Sequence, residues 1–463
     1  MKQKILFAVL FAAVLFSSCS EEFLAPDISG METADYVLNI GDKLTLAPNI
    51  TNLKGNDYVW YVNEKKVANA TTDYTFVATQ PGTFVVTFKA SNKGGTADHA
   101  FKIVVEPPIE ISFEKPIYVV PKSQVLEINP KIIGPERDDY KYEWTMGDAV
   151  LGKDKNVDFI SVAPNTYELT LTVSAGKQTV TTTVNVKVED AKYNPKAISI
   201  LDYTPAANSY WHLTSTGKKF NDYIFPHDEF IKVISEDMKN GIVQKINVGN
   251  WGSSVTVGFD HTIANIAGKN DIEIFNGNHT PEALGFYVAY DKNKNGKPDD
   301  DEWYLIKTPH ETENYERTFT YVGKPEFETI GAYRYCTFTY ELKDSKGVTE
   351  EKTFSQVIYD FATPLSFPGY YVENEKIEMK EGWKRSYTIK GRMLAITEPN
   401  FPGGNKTLHI NIADAVDEKG TPVVLPGVDF LKIQQFGIIY DRDKTKGEKA
   451  QRNEILLIKD NHL

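Results

Sequence analysis

The stretch that decides the fold is NWGSSVTVGFDHTIANIAGKNDIEIFNGNHTPEALGFYVAYDKNKNGKPDDDEWY, residues 250–304. Its first half alternates apolar and polar residues around Val255 and Val257, breaks, and resumes the alternation at Ile272. A period of two residues is typical of a β-strand with one buried face. The stretch therefore predicts two strands joined by a turn, followed by a third strand over residues 286–290.

The third strand runs into DKNKNGKPDDDE, residues 291–302, in which oxygen-bearing residues alternate and a glycine stands sixth. Ca²⁺ prefers six to eight hard oxygen ligands, and a twelve-residue loop supplies them from alternate side chains, one backbone carbonyl and a closing carboxylate. The spacing predicts a structural calcium site. The predicted ligands are Asp291, Asn293, Asn295, the backbone carbonyl of Lys297, Asp299 and Glu302.

The same loop has a second interpretation without a metal. Asn295-Gly296 is a frequent hairpin turn, and residues 299–302 then form a solvated acidic run. Both interpretations give the loop a structural role, because an ion wrapped by that many protein oxygens has little room left to activate a substrate.

The amino terminus has the pattern of an export signal. Lys2 and Lys4 precede a short apolar run at 5–16, and SSCSEE follows it. This pattern predicts a signal peptide over 1–18. The residues before Cys19 resemble a bacterial lipobox, and the acidic pair behind it resembles the export tag of Bacteroidetes lipoproteins. The resemblance implies lipidation of Cys19, a tether over 19–29, and an outer-membrane location facing the cell exterior.

Composition sets further bounds on the 463 residues. The chain has two cysteines, so with Cys19 lipidated no disulfide framework is expected and stability must come from burial. A formal charge of −12 argues against nucleic acid or an anionic surface as a partner. No second apolar run reaches the roughly 18 residues of a spanning helix, so we expect the N-terminal lipid to be the only membrane attachment.

Residues 30–106 and 107–189 are two copies of one sequence module. The motif Tyr58-x-Trp60 recurs as Tyr142-x-Trp144, and GTFVVTFKAS at 82–91 corresponds to NTYELTLTVS at 165–174. Several short alternating strands around one tryptophan predict an immunoglobulin-like sandwich in each copy, with the tryptophan in its core. The copies resemble polycystic-kidney-disease (PKD)-type domains, which implies a stalk or spacer.

The repeat ends before residue 190, and residues 190–463 contain about ten predicted strands and one predicted helix at 228–240. This content predicts a larger, jelly-roll-like β-sandwich, so the whole chain is expected to be all-β. Long connections at 363–371 and 398–405 are rich in Gly, Pro and aromatic residues, and a binding surface would be built there.

Several long motifs carry a family resemblance across residues 198–463. GNWGSSVTVGFDHTIANIAGKNDIEIFNGN, DKNKNGKPDDDEWY and HINIADAVDEKGTPVVLPGVDFLKIQ resemble the C-terminal domain of Bacteroidetes surface lipoproteins similar to those encoded with cobalamin transporters. The resemblance implies capture of cobalamin (vitamin B12) or a related corrinoid for a TonB-dependent outer-membrane transporter. The chain differs from the family pattern at 205–212 and 303–311.

The aromatic residues of this domain fit a large, partly apolar ligand. Tyr210, Trp211, Phe225 and Trp251 lie at predicted strand ends and loops, where flat faces could stack on a corrin ring. Aromatic faces serve sugars equally well, so a glycan-binding lipoprotein of a polysaccharide-uptake system is an alternative. An adhesin or structural surface protein is the third hypothesis.

Catalytic motifs are missing from the sequence. HExxH and GxSxG do not occur, and Cys336 lies within the aromatic strand pattern YRYCTFTYEL. His261 is next to Asp260 on a predicted strand, where neighbours point to opposite faces, so we interpret it as a structural hydrogen-bonding residue. The sequence therefore predicts a protein that is not an enzyme.

Overall fold

The computed structural model of the chain describes residues 22–29, 35–204, 209–210, 227–243, 246–248, 253–276, 284–307, 311–331, 333–345, 347–358, 365–367, 370–373, 376–379, 386–394, 407–435 and 453–463. The predicted signal peptide, Cys19, Trp211, Phe225 and Trp251 lie outside them. β-Strands dominate, which confirms the all-β prediction. Within these ranges, no helix has both the length and the apolar character needed to cross a membrane.

The first sandwich is built around one five-stranded sheet in the order β2-β9-β8-β5-β6, with the pairs β3-β7 and β1-β4 completing it. Alternation places Val86, Phe88 and Ala90 of β8 in the core while their neighbours are more exposed. The strands are β1 (Asp27–Ser29), β2 (Tyr36–Asn39), β3 (Lys43–Leu46), β4 (Asn49–Thr51), β5 (Asp57–Val62), β6 (Lys65–Asn69), β7 (Tyr74–Val77), β8 (Gly82–Asn92) and β9 (Gly95–Glu106).

The second sandwich repeats this arrangement strand for strand. Its five-stranded sheet has the order β11-β18-β17-β14-β15, with the pairs β12-β16 and β10-β13. The strands are β10 (Glu110–Ser112), β11 (Ile117–Pro121), β12 (Leu126–Ile128), β13 (Lys131–Ile133), β14 (Lys141–Met146), β15 (Ala149–Gly152), β16 (Val157–Phe159), β17 (Asn165–Ala175) and β18 (Gln178–Glu189).

Both repeated tryptophans are core residues, and they make the same contact. Trp60 and Trp144 have no solvent-exposed surface. The Trp60 indole Nε1 donates to the carbonyl oxygen of Thr71 at 3.2 Å, and the Trp144 Nε1 donates to that of Lys155 at 3.2 Å. Each bond joins residues eleven positions apart, so the duplication seen in the sequence extends to the buried polar contact of each core.

The C-terminal domain contains the remaining strands and one helix. The elements are β19 (Ser199–Thr204), β20 (Ser209–Tyr210), α1 (His227–Lys239), β21 (Ile246–Val248), β22 (Ser254–Ala264), β23 (Ile272–Asn276), β24 (Leu284–Ala289), β25 (Trp303–Ile306), β26 (Glu311–Ile330), β27 (Tyr333–Asp344), β28 (Thr349–Ile358), β29 (Leu365–Phe367), β30 (Tyr370–Glu373), β31 (Lys376–Met379), β32 (Ser386–Leu394), β33 (Thr407–Ile410), β34 (Ala415–Val416), β35 (Gly427–Gln435) and β36 (Asn453–Asp460). Two 3₁₀ turns span Asp300–Glu302 and Ile412–Asp414.

Two sheets of this domain share one hydrophobic core. The six-stranded sheet has the order β19-β22-β35-β24-β25-β34, and the four-stranded sheet has the order β21-β36-β23-β33. Val255, Val257 and Ile272 are fully buried in this common core, as their spacing predicts. Two further four-stranded sheets, β28-β27-β26-β32 and β20-β29-β30-β31, complete the strand inventory.

Helix α1 lies within one residue of its predicted bounds. Phe230, Ile234 and Asp237 are its buried residues, spaced three to four apart as on one helix face. The Phe230 ring lies 6.3 Å from the ring of Tyr203 on β19, so the helix covers this edge strand of the large sheet.

Residue contacts divide the chain into two compact units. The first comprises residues 1–116, 129–157 and 168–185, and the second comprises residues 117–128, 158–167 and 186–463. The division passes through the second sandwich, whose β11 and β12 belong with the C-terminal unit.

Candidate metal centre

The predicted calcium loop connects two antiparallel strands. Strands β24 and β25 pair with Ala289 opposite Trp303, and residues 290–302 span the gap. The backbone reverses through positive φ angles at Lys294 (58°) and Gly296 (75°). A residue other than glycine is strained at such angles, so the glycine at the sixth loop position has the conformational role that the motif gives it.

Asp291 opens the loop and accepts two backbone hydrogen bonds. Its Oδ1 accepts from Asn295 N at 3.0 Å, and its Oδ2 accepts from Gly296 N at 2.7 Å. Both oxygens of one carboxylate therefore hold the loop's turn together.

The two asparagines extend the same ring of contacts. Asn293 Oδ1 accepts from Asn295 N at 3.0 Å, and Asn295 Oδ1 accepts from Lys297 N at 2.7 Å. Their amide nitrogens converge on one atom, because Asn293 Nδ2 and Asn295 Nδ2 donate to Asp299 Oδ2 at 2.6 and 2.8 Å. Three of the predicted ligand side chains thus lie within hydrogen-bonding distance of each other.

Glu302 closes the loop from within a buried position. Its Oε1 accepts from Lys292 N at 3.0 Å, and its Oε2 accepts from Asp299 N at 3.0 Å. The closing carboxylate therefore bridges the beginning of the loop and its ninth position, and the side chain is buried despite its charge.

Asp429 on β35 accepts a hydrogen bond from the backbone at the start of the loop. The sequence gives no sign of this contact, because Asp429 is 138 positions from Asp291. Its Oδ2 accepts from Asp291 N at 2.8 Å, and its Oδ1 accepts from Thr262 Oγ1 at 2.6 Å. Burial raises the pKa of Asp429, and the nearby charges of Asp291 and Glu302 raise it further. The charges of Asp291 and Glu302 thus act on a buried carboxyl group, and a cation at this place would favour the ionised form of Asp429.

Carboxylates also surround Tyr290, the residue before the loop. Burial raises the pKa of the Tyr290 phenol. Four nearby negative charges raise it further, and they belong to Asp158, Asp429, Glu127 and Asp291. Burial likewise raises the pKa of Asp158, while Lys292 and Lys294 of the loop lower it. Acidic side chains from three segments of the C-terminal unit therefore act on the residue that precedes the loop.

The residues of the loop fit calcium in their donor chemistry. Oxygen atoms stand at every predicted position, the backbone already makes the required turn, and the carboxylates of Asp291 and Glu302 repel Asp429. Across the described ranges, no group of three or more His, Cys, Asp or Glu side chains could hold a metal ion. The three predicted carboxylate ligands Asp291, Asp299 and Glu302 do not form such a group, so calcium binding stays a prediction from the spacing of the loop.

Of the four predicted ligand-contacting aromatics, the structure describes the backbone of one. Tyr210 on β20 pairs with Leu365 of β29, which pairs with Val372 of β30, which pairs with Ile377 of β31. The row two residues further along contains Phe367, Tyr370 and Met379. These two alternate rows consist of apolar and aromatic residues, whereas the row between them contains Ser209, Ser366, Tyr371 and Glu378. Trp211, Phe225 and Trp251 lie outside the described residues.

The sequence predicts that the side chains of Asp260 and His261 point to opposite faces of a strand. In the structure these two side chains are in contact. The His261 Nδ1 lies 2.8 Å from Asp260 Oδ1. The register between β22 and β35 shifts between Gly258 and Ile263, and this irregularity interrupts the alternation that would put neighbours on opposite faces. The His261 side chain is buried and hydrogen-bonded, which agrees with its interpretation as a structural residue.

Comparison with known proteins adds one family match. Residues 26–92 match the PKD-like domain family. No curated protein sequence matches the chain.

Among solved structures, a three-immunoglobulin fragment of titin is 8% identical to this chain, with a TM-score of 0.31. The match covers 72% of this chain and 98% of the titin fragment. A Dscam structure is 11% identical, with a TM-score of 0.24; the match covers 36% of this chain and 46% of that one. The family match and the strand topology together identify residues 26–92 as a PKD-like domain in an all-β protein with tandem immunoglobulin-like sandwiches.

Proposed function

We propose that the chain is a non-enzymatic, lipid-anchored surface protein that captures cobalamin or a related corrinoid through its C-terminal domain. In this proposal it delivers the ligand to a TonB-dependent transporter of the outer membrane. The anchor is the lipid on Cys19, and the corrinoid is the ligand that the motif resemblance of residues 198–463 implies.

The apolar rows of the β20-β29-β30-β31 sheet are the observation that carries the ligand-binding part. The paired row from Tyr210 to Ile377 and the row from Phe367 to Met379, two residues further along, consist of apolar and aromatic residue types. A corrin macrocycle is large, flat and partly apolar, and such ligands are bound mostly by apolar and aromatic side chains. β29 also lies within the connection at 363–371 that the sequence predicts as a binding surface.

The sandwiches serve as a spacer in this proposal. Their repeated tryptophans are fully buried, so these two rings are unavailable as stacking platforms for a ligand. Two modules with the same core and the same strand order suit a stalk that carries the third domain away from the membrane.

Calcium has a structural role in this proposal. Asp291, Asn293, Asn295, Asp299, Glu302 and the carbonyl of Lys297 would hold the ion, which would supply positive charge among the surrounding carboxylates. Through Asp429, the same loop is hydrogen-bonded to β35, a central strand of the large sheet. Ion binding would therefore stabilise the sandwich around the binding sheet.

The test is calorimetric titration of the mature, unlipidated chain with cyanocobalamin in calcium. We expect one-to-one binding, and we expect Tyr210→Ala and Tyr370→Ala each to weaken it roughly tenfold, about 1.4 kcal/mol. Tyr371→Ala is the matched control, because Tyr371 is on the same strand as Tyr370 but pairs with Ser366 and Glu378.

Two results would contradict the proposal. Absence of binding heat at high cyanocobalamin concentration would exclude the corrinoid, and the same chain would then be screened against a glycan array. Equal weakening by Tyr371→Ala would show that the effect comes from damage to the sheet and not from loss of ligand contacts.

A further inference from the structure

We propose that one end of the first sandwich rests directly on the lipid surface. This end, called here the anchor-proximal face, consists of residues 22–25, 52–55 and 92–95. The inference rests on the proposed lipid anchor at Cys19 and adds to it an orientation, a set of contact residues and the chemistry of the partner surface.

The chain after the anchor is fixed to the sandwich and does not act as a loose linker. Asn92 Nδ2 donates to the carbonyl oxygen of Leu24 at 2.9 Å, and Asn52 Nδ2 donates to that of Ala25 at 2.9 Å. Strand β1 then pairs with β4 from Asp27 opposite Thr51 onwards. The sandwich thus holds this segment from Leu24 on.

Close backbone packing fixes the same segment at the β8-β9 turn. A Cβ atom on Gly94 would lie 2.1 Å from the carbonyl oxygen of Phe23, and one on Gly95 would lie 2.9 Å from the Ala25 Cβ. The turn residues must therefore be as small as glycine for residues 23–25 to lie where they do.

The length of the remaining chain determines which end of the sandwich is near the membrane. Cys19 and Phe23 are four residues apart, so their Cα atoms are separated by at most about 14 Å. Strand β8 has 11 residues and is about 33 Å long, running from Gly82 to Asn92. The Asn92 end must therefore stay close to the lipid, and the tether is too short to exchange it for the Gly82 end.

The anchor-proximal face has the chemistry of an interfacial contact. Leu24 and Leu53 are 63% and 61% exposed, so this face presents two large apolar side chains at its surface. Exposed Lys54 and Lys93 place their ammonium groups 5.0 and 5.4 Å from the centre of the Phe23 ring. Apolar side chains that enter the acyl boundary, next to cations that meet lipid phosphates, are typical of proteins lying on a membrane.

Charge distribution supports the same partner. The chain carries a formal charge of −12, so it has no general attraction to an anionic surface. Lys54 and Lys93 place two cations on the anchor-proximal face against the one carboxylate of Glu22, so this face has a small net positive charge that lipid phosphates would attract.

The experiment measures lipid contact at the two ends of the sandwich. The lipid-bearing chain with Cys336→Ser carries either Leu53→Cys or Ile40→Cys, and each new cysteine is labelled with the fluorophore NBD. Ile40 is the matched control, because it is apolar, 45% exposed and next to Gly41, which bonds to Ala78 near the Gly82 end. The labelled proteins are reconstituted into phosphatidylcholine and phosphatidylglycerol vesicles containing doxyl-labelled lipid.

We expect doxyl lipid to quench NBD at position 53 at least twofold and to leave NBD at position 40 unchanged. Lys54→Glu combined with Lys93→Glu should reduce the quenching at position 53, whereas Lys65→Glu combined with Lys66→Glu, on exposed lysines of β6, should not. Equal quenching at both positions, or none at position 53, would overturn the inference.

Vesicle flotation and the mass of the intact chain separate this inference from the anchor. If the chain carries lipid and floats with the vesicles while position 53 is not quenched, only the proposed contact face is wrong. A chain without lipid that stays out of the vesicle fraction would overturn the anchor and the contact face together.

Discussion

The imidazole Nε2 of His261 lies 3.0 Å from Oδ2 of Asp460, a residue 199 positions further along the chain. Both side chains are fully buried, and the His261 Nδ1 contacts Asp260 at 2.8 Å. The pair joins β22 of the six-stranded sheet to β36 of the four-stranded sheet. A charge pair therefore connects the two layers of the C-terminal sandwich.

This pair predicts a pH-dependent stability. Burial lowers the pKa of His261, but the hydrogen bonds that its ring donates to Asp460 and Asp260 raise it by more, so the pKa lies above its usual value. A raised pKa means that folding favours the protonated form. The stabilisation is fully present below the unfolded pKa of about 6.5 and is lost as the pH rises through the folded pKa. We expect the free energy of unfolding to fall from pH 6.5 towards pH 9.

His261→Gln tests this dependence against the exposed histidine His409 on β33, in the same four-stranded sheet as Asp460. Removing the buried partner of Asp460 should cost roughly 3 kcal/mol at pH 6.5 and less at pH 9. His227, whose pKa is raised by Asp202, titrates in the same direction, so the informative quantity is the wild-type minus variant difference in urea unfolding. A difference that stays constant with pH, or an equal effect of His409→Gln, would contradict the assignment.

The calcium loop predicts a metal-dependent melting temperature. Asp291→Asn keeps an oxygen that accepts a backbone hydrogen bond but removes a charge from the proposed site. We expect it to lower the melting temperature more in calcium than in chelator, because an ion at 100 times its Kd stabilises the fold by about 2.7 kcal/mol. Asp300→Asn, in the same acidic run but at no predicted ligand position, is the control. Equal lowering in calcium and chelator would favour the interpretation as a bare acidic turn.

The matching tryptophan contacts predict equal losses of stability in the two sandwiches. Trp60→Phe leaves a cavity and removes the donor to Thr71, and Trp144→Phe does the same to Lys155. We expect each change to lower the free energy of unfolding by roughly 2 kcal/mol. Denaturant unfolding of the two variants measures this. A loss confined to one copy would show that the duplicated contact is not equally important in both.

Gly94→Ala should release the segment after the anchor. The added Cβ would meet the carbonyl oxygen of Phe23 at 2.1 Å, so residues 22–25 must move away. We expect hydrogen exchange of amides 23–29 to accelerate at least tenfold. Gly152→Ala is the matched control, since no atom lies within 4 Å of the position its Cβ would take. Unchanged exchange in Gly94→Ala would mean that the turn can shift without moving the segment.

Local periodicity and repetition predicted the features that depend on neighbours in the chain. The spacing of Trp60 and Trp144 identified two sandwiches and their cores, and the apolar spacing around Phe230 identified the helix to within one residue. The loop at 291–302 was recognisable because its interacting residues all lie within twelve positions.

Contacts between distant segments could not be read from the sequence. Asp429 supports a loop 138 positions away, and Asp460 pairs with a histidine 199 positions away. The contact between Asp260 and His261 depends on a shift in strand register, which strict alternation does not represent. The docking of residues 22–25 depends on glycines at a turn about 70 positions later.

Strand β36 lies between β21 and β23 in the four-stranded sheet, although its paired residues follow theirs by roughly 180 to 210 positions in the sequence. During synthesis from the amino terminus, β21 and β23 are made long before β36, the strand that pairs with both of them. Closing so long a loop carries an entropic cost before any packing is gained, and it slows folding. We therefore expect the C-terminal sandwich to fold after both immunoglobulin-like sandwiches. Until β36 has been synthesised, the apolar strands of this domain stay exposed to chaperones.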